Sequence, residues 1–160
     1  MLNRNVKMAY VRTEDGNKSI YKKLTGFTEF AVSYNAKEYT RKYIDEINEK
    51  TEVVAYQPSI SYSFDKIEGE ISQTPFVQAA ENEITGNEAL AQIVIVDFRY
   101  GYLDGISAIY RDYIIVPDAE GDDANVYTYS GTLRAYGEKH KVVVTSGDGW
   151  ETLHVEEDDG

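Results

Sequence analysis

Two stretches of this chain constrain its fold more than any others, because apolar and polar residues alternate in them one for one. In "SISYSFD", residues 59–65, Ile60, Tyr62 and Phe64 fall on one side, and Ser59, Ser61, Ser63 and Asp65 on the other. In "NVYTYSGTLRAYG", residues 125–137, Tyr127, Tyr129, Leu133 and Ala135 oppose Val126, Thr128, Ser130, Thr132 and Arg134. A period of two belongs to a β-strand with one face in a core. The polar faces are unusual, since a solvated strand ordinarily carries longer or β-branched side chains. Rows of small hydroxyls point to faces kept smooth.

Other segments extend the β pattern. "IYKKLTGFTEFAVSY", residues 20–34, has strand character around a Thr25-Gly26 break, with Phe27, Phe30, Val32 and Tyr34 as inward residues. Its count slips by one residue after Phe27, which a bulge would repair. The run Ile93–Val96 within residues 89–100 predicts burial on both faces, and residues 105–119 are strand-like up to Pro117. "KVVVTS", 141–146, is the last clear strand. The clearest helix spans 74–85, with Thr74 as N-cap, Pro75 at the first helical position, Phe76, Ala80 and Ile84 on one stripe with Val77 beside it, and Gly86 as the stop. One helix among about seven strands predicts a mainly β fold, an antiparallel sandwich or barrel.

Residues 35–58 read two ways. Tyr39, Tyr43, Ile44 and Ile47 recur at helical spacing behind a capping Asn35. Thr40–Ile44 and Thr51–Tyr56 are equally strand-prone, with a turn at Asn48–Lys50. The first 19 residues are polar, with a turn at "EDGN", and read as an N-terminal arm. Residues 155–160 read as an acidic C-terminal tail, and no linker divides the chain, so 1–160 is expected to be one domain.

The chain has 16 Lys/Arg against 28 Asp/Glu and no cysteine. Disulfides, thiol chemistry and cysteine-held zinc are thereby excluded. Residues 1–50 balance at +3, so residues 51–160 carry −15 of the net −12. Such an acidic excess disfavours gripping phosphates, which takes clustered Lys and Arg. No stretch has the roughly 18 apolar residues of a membrane span, so a soluble protein made in the cytoplasm is expected. Fourteen tyrosines suit a β-protein that binds or assembles, because the ring packs while the hydroxyl stays wet.

Signals for chemistry are weak. His140 and His154 are too far apart in sequence for a helical metal pair, and "DAEGDD", Asp118–Asp123, places its glycine wrongly for a calcium loop and reads as a solvated loop. Phosphate-binding glycine motifs and a nucleophile elbow are missing. Asp97, Asp104 and Asp112 lie on or near strands and are the candidates for glycosidase-like acid/base work. Among 28 acids such groupings arise by chance, so no catalytic residue, metal ligand or cofactor is expected.

The segment "KEYTRKYIDEINEKTEVVAYQPSISYSFD", residues 37–65, followed by a short capped helix, resembles the tail tube (major tail) proteins of tailed bacteriophages and prophage tails, in particular those of Gram-positive hosts. The likeness is most specific in those residues and looser to about residue 145. It implies a structural virion protein, not an enzyme: a β-sandwich subunit with one flanking helix that self-assembles into hexameric rings. The rings would stack into a tube through which DNA is ejected without specific binding. Tape-measure, tail terminator and distal tail proteins are the implied partners. The location would be the virion, with the host cytoplasm during assembly.

On that ground residues 35–58 are expected as an extended hairpin or loop reaching a neighbouring subunit, with Tyr39, Tyr43, Ile44, Val53, Val54 and Tyr56 as inter-subunit contacts. Ser61, Ser63, Thr128 and Ser130 are expected to face the lumen. The alternative is a carbohydrate- or ligand-binding β-sandwich module, in which exposed tyrosines would line a cleft.

Overall fold

The computed structural model describes residues 7–45, 47–98, 106–123 and 126–157. The strands among them are β1 (Lys7–Asp15), β2 (Lys18–Lys23), β3 (Phe27–Ser33), β4 (Ala36–Arg41), β5 (Lys50–Tyr56), β6 (Ser59–Asp65), β7 (Leu90–Asp97), β8 (Ile106–Asp123), β9 (Val126–Ala135), β10 (His140–Thr145) and β11 (Thr152–Glu157). The helix α1 (Thr74–Glu81) lies between β6 and β7. Nine strands form one antiparallel sheet in the order β10-β11-β2-β1-β7-β8-β9-β6-β3, and β10 also pairs with β8. That second pairing closes six strands into a barrel and removes their edges.

β8 joins two structures because it is long. Ile106–Tyr110 pair with β10 inside the barrel, whereas Tyr113–Asp123 pair with β9 and carry the sheet outward to β6 and β3. The register shifts between Pro117 and Ala119. A proline, lacking an N–H for the ladder, is tolerated at such a bulge. Asp118–Asp123, expected as a solvated loop, therefore belong to β8.

The alternation of each strand sorts its side chains between two cores. Tyr10, Val94, Val96, Ile106, Ala108, Val142, Val144 and Leu153 fill the barrel. Their sequence neighbours Val11 and Ile93 point the other way, into a second core with Ile60, Tyr62, Phe64, Tyr113, Ile115, Tyr129 and Leu133, which α1 covers with Phe76 and Ala79. Val94 and Val96 in one core and Ile93 in the other account for the continuous apolar run in β7. The bulge expected after Phe27 is present, between Phe27 and Glu29. Phe27 and Phe30 pack on the second core, but Val32 and Tyr34, expected inward, are exposed.

The helix is shorter than the spacing predicts. A 3-10 turn, Ile71–Gln73, precedes it; its cap is Gln73 rather than Thr74, and Pro75 stands in its first turn. It stops at Glu81, where Ile84 N donates to Ala79 O at 3.2 Å and Glu83 N to Ala80 O at 3.3 Å. With Glu83 at φ 48°, this is a Schellman closure that ends the helix before Gly86. Fully buried Gln73 ties the helix start to the sheet. Its Nε2 donates to Thr25 O at 2.9 Å and Asp65 O at 2.8 Å, and its Oε1 accepts from Ile67 N at 2.9 Å. Gly26, at φ 84°, makes room: a Cβ there would lie 2.7 Å from Gln73 Nε2.

Two terminal expectations are corrected. Residues 7–19, expected within an arm, form β1 and the start of β2, and Tyr10 and Val11 are fully buried in opposite cores. Residues 1–6 lie outside the described residues. Of the expected acidic tail, residues 155–157 extend β11 against β10, with Val144 opposite Val155. Residues 158–160 lie outside the described residues.

Candidate assembly surface

The four-stranded extension β8-β9-β6-β3 has a greasy face and a smooth one. Along β6, Ile60, Tyr62 and Phe64 are buried, while Ser59, Ser61, Ser63 and Asp65 are half-buried on the reverse side. β9 repeats the pattern in register, with Ser61 opposite Thr132, Ser63 opposite Ser130 and Asp65 opposite Thr128. Directly opposed residues share a face. The structure thus brings Ser61, Ser63, Thr128 and Ser130, widely separated in sequence, onto one surface.

On its far side β6 adds Ala31 and Ser33 of β3, opposite Ser61 and Ser59. Charge on this face is Glu29 on the edge strand, directly opposite Ser63, with Asp65 and Arg134 toward its two ends. The hydroxyls are partly turned to their own sheet: Thr128 Oγ1 donates to Gly121 O at 3.3 Å and Ser130 Oγ to Ala119 O at 3.5 Å. Such a surface is made of small, polar side chains. Among the described residues β3 pairs with β6 alone, leaving its other edge open.

Within residues 35–58, Ala36–Arg41 and Lys50–Tyr56 are extended, and the helical reading of their spacing is set aside. β4 and β5 pair antiparallel as a separate two-stranded sheet, and every residue of both is exposed. The base is held where Gln57 N donates to Tyr34 O at 3.2 Å and Asn35 Nδ2 donates to Gln57 O at 3.1 Å and Ser59 Oγ at 2.9 Å. Tyr39 in β4, Val53, Val54 and Tyr56 in β5, and Tyr43 and Ile44 just past β4 are all exposed, Val54 by 61% and Tyr56 by 62%. A solitary two-stranded hairpin is at best marginally stable in water. Exposed apolar groups on such an element are a liability unless a partner covers them.

The hairpin also holds a group that the spacing of apolar residues did not single out. Arg41 Nη1 donates to Tyr43 Oη at 2.6 Å and Nη2 to Tyr39 Oη at 2.9 Å. Its Cζ lies 4.7 Å from the Tyr39 ring centroid and 5.4 Å from that of Tyr43. The available signal was the Y-x-R-x-Y spacing, which places three residues on one side of an extended chain.

Of the candidate acid/base groups, Asp97 and Asp112 are not brought together: Asp112 pairs with Gln92, five residues along the strand from Asp97. Asp112 accepts from Tyr110 Oη at 2.6 Å, a contact that, after burial, helps push the Tyr110 hydroxyl pKa up. Asp97 belongs to β7, and Asp104 lies outside the described residues. His140 and His154 border a groove where β2 and β11 diverge, with Tyr21 and Tyr110. Among the described residues no group of three or more His, Asp or Glu is placed to hold a metal ion.

Solved structures settle what this architecture is. The SPP1 tail tube superposes with a TM-score of 0.64 at 11% identity over 88% of this chain and 78% of that one. The chain has the tail tube fold. The tail of an empty gene transfer agent particle solved with C6 symmetry superposes at a TM-score of 0.60 and 12% identity over 87% and 97% of the two chains. The anti-feeding prophage baseplate gives a TM-score of 0.50 at 10% identity, covering 84% and 91%. No family model and no curated protein matches the sequence.

Proposed function

We propose that this chain is a structural subunit of a phage-type tail tube, in which six copies close into a ring and rings stack into a bore for DNA. The observation that carries the reading is the β4–β5 hairpin, which exposes its tyrosines and valines and, among the described residues, pairs with no other strand. Combined with the tail tube fold, it has the form of an element that a neighbouring copy would cover. The open edge of β3 would extend the sheet into the next copy, as closed rings do for strands with free edges. The C6 symmetry of the gene transfer agent tail supports a six-fold arrangement.

In this arrangement the hydroxyl face of β8-β9-β6-β3 lines the bore. Phosphates bind where Lys and Arg displace their counterions, so a wall of serines and threonines within a chain of net charge −12 lets DNA pass. The role is structural rather than enzymatic. Tape-measure, terminator and distal tail proteins would complete the tail, and the finished subunit would reside in the virion after assembly in the host cytoplasm.

Negative-stain electron microscopy of the purified chain over a concentration series tests this directly. Rings or tubes with six-fold end views are expected; a monodisperse monomer at every concentration would overturn the proposal.

A further inference from the structure

Arg41 is held more firmly than an exposed arginine on a hairpin ordinarily is. Two tyrosine hydroxyls take one hydrogen bond from each terminal nitrogen, and both rings lie within cation–π range of the guanidinium. Of five N–H donors, two are used, leaving the rest for a planar acceptor. Among the described residues no carboxylate forms an ion pair with Arg41; the ion pairs are Lys22 with Glu70 and Glu151, and Lys23 with Glu151. Fixing the side chain in advance removes much of the rotamer entropy that an arginine loses on binding.

The complementary group stands on the same chain, on another element. The outer end of β8, residues 118–123, contains four acids and no base. Asp118 and Glu120 are exposed there and, among the described residues, pair with no cation. Tyr127 Oη donates to Glu120 Oε2 at 2.8 Å, which orients that carboxylate as the tyrosines orient Arg41.

We infer that Arg41, clamped between Tyr39 and Tyr43, is the specificity-determining anchor of the hairpin and docks on the Asp118–Glu120 carboxylates of a second copy. The inference rests on the hairpin reaching a neighbour, and adds which charged groups recognise each other. Apolar contacts of the hairpin supply area, whereas the forked guanidinium sets register, since only one placement satisfies both its donors and the carboxylate.

The test is sedimentation velocity on the unaltered chain, Arg41→Glu, Asp118→Arg with Glu120→Arg, and all three changes together. Arg41 lies outside both cores, so melting curves of the Arg41→Glu chain should match the unaltered one. Either reversal alone should raise the concentration for half-association by about tenfold or more, as expected for loss of a charge-assisted contact, and the combination should recover most of it. Tyr39→Phe with Tyr43→Phe, which keeps the rings and removes the clamp, should weaken association by about threefold. Association insensitive to Arg41→Glu overturns the contact, as does a combined variant no better than either reversal or a chain that never associates. Association that shows the charge-swap rescue but builds no six-fold ring overturns the ring reading and leaves this contact standing.

Discussion

Ser63 of β6 lies directly opposite Ser130 of β9, so two hydroxyls from segments far apart in the chain meet on one face of the outer sheet. Both can be replaced by lysine without touching the core behind them, where Phe64 and Tyr129 stack at 5.3 Å. If that face lines the bore, chains with Ser63→Lys and Ser130→Lys should still form tubes, but the tubes should retain DNA. Retention should fall steeply with added salt, as counterion release requires. Gel-shift or filter retention between low and physiological salt reads this, and tubes that stay indifferent to DNA would place the face elsewhere.

The hairpin can be removed cleanly because its ends meet. Gln57 N donates to Tyr34 O at 3.2 Å, so replacing residues 36–57 by a short Gly-Ser turn joins strands already adjacent. The shortened chain should fold with a cooperative melt close to that of the full chain, since neither core includes a residue of β4 or β5. Electron microscopy should then show subunits without rings. Normal rings from the shortened chain would remove the hairpin from the interface.

Glu83 occupies the left-handed position of the Schellman closure at φ 48°. A side chain there is disfavoured by contact between Cβ and the backbone, and glycine avoids it. Glu83→Gly should stabilise the fold by about 0.5–1 kcal/mol, raising the melting temperature by a few degrees, while Glu83→Ala should give no gain.

The turn between β10 and β11 should respond to pH at both ends of the scale. Thr152 donates from its hydroxyl to Asp148 Oδ2 at 2.6 Å and from its N–H to Oδ1 at 3.1 Å, while Ser146 Oγ donates to Oδ1 at 2.8 Å. These bonds, the Thr152 hydroxyl first, lower the Asp148 pKa to about 2 from 3.8. A depressed carboxylate contributes stability above its ordinary pKa and loses it as pH falls through the folded value. Carbon-detected NMR titration should find the Asp148 midpoint near 2, and Thr152→Val should return it toward 3.8.

Tyr10 behaves oppositely. Burial, then the nearby charges of Glu151 and Asp148, raise its pKa from 10.0 to about 12, and its hydroxyl donates to Trp150 O at 2.6 Å. Its contribution is therefore complete below pH 10 and lost as pH rises through 12. Ultraviolet titration should show a delayed tyrosinate step that merges with alkaline unfolding.

Local patterns in the sequence were enough to place the β6 core residues, the smooth face of β6 and β9, the bulge after Phe27 and the existence of α1. In each case a period of two or a capped apolar stripe concerns neighbours along the chain, and a strand with one buried face has only one register that hides its apolar side. Residues 35–58 were different. Tyr39, Tyr43, Ile44 and Ile47 satisfy a helical period, yet the chain there has no core to present a helical stripe to, and Thr40 and Thr51 face each other across a hairpin at 3.1 Å.

β1 and β11 were missed for a related reason. β1 pairs with β7 about eighty residues later, and its alternation reads as a polar arm until the barrel buries Tyr10 on one side and the second core buries Val11 on the other. β11 pairs with its chain neighbour β10 and, at Thr152 and Leu153, with β2 more than a hundred residues earlier, but its sequence runs into an acidic end that reads as a solvated tail. By itself the sequence determined which strands hide one face, the acidity of the chain and the smoothness of the serine rows, because composition and periodicity are local properties. Only the tertiary structure decided that β8 pairs with β10 to close a barrel, that the two serine rows share a face, and that Arg41 is clamped on an exposed hairpin held at its base. Those outcomes depend on contacts between distant segments, which no local period encodes.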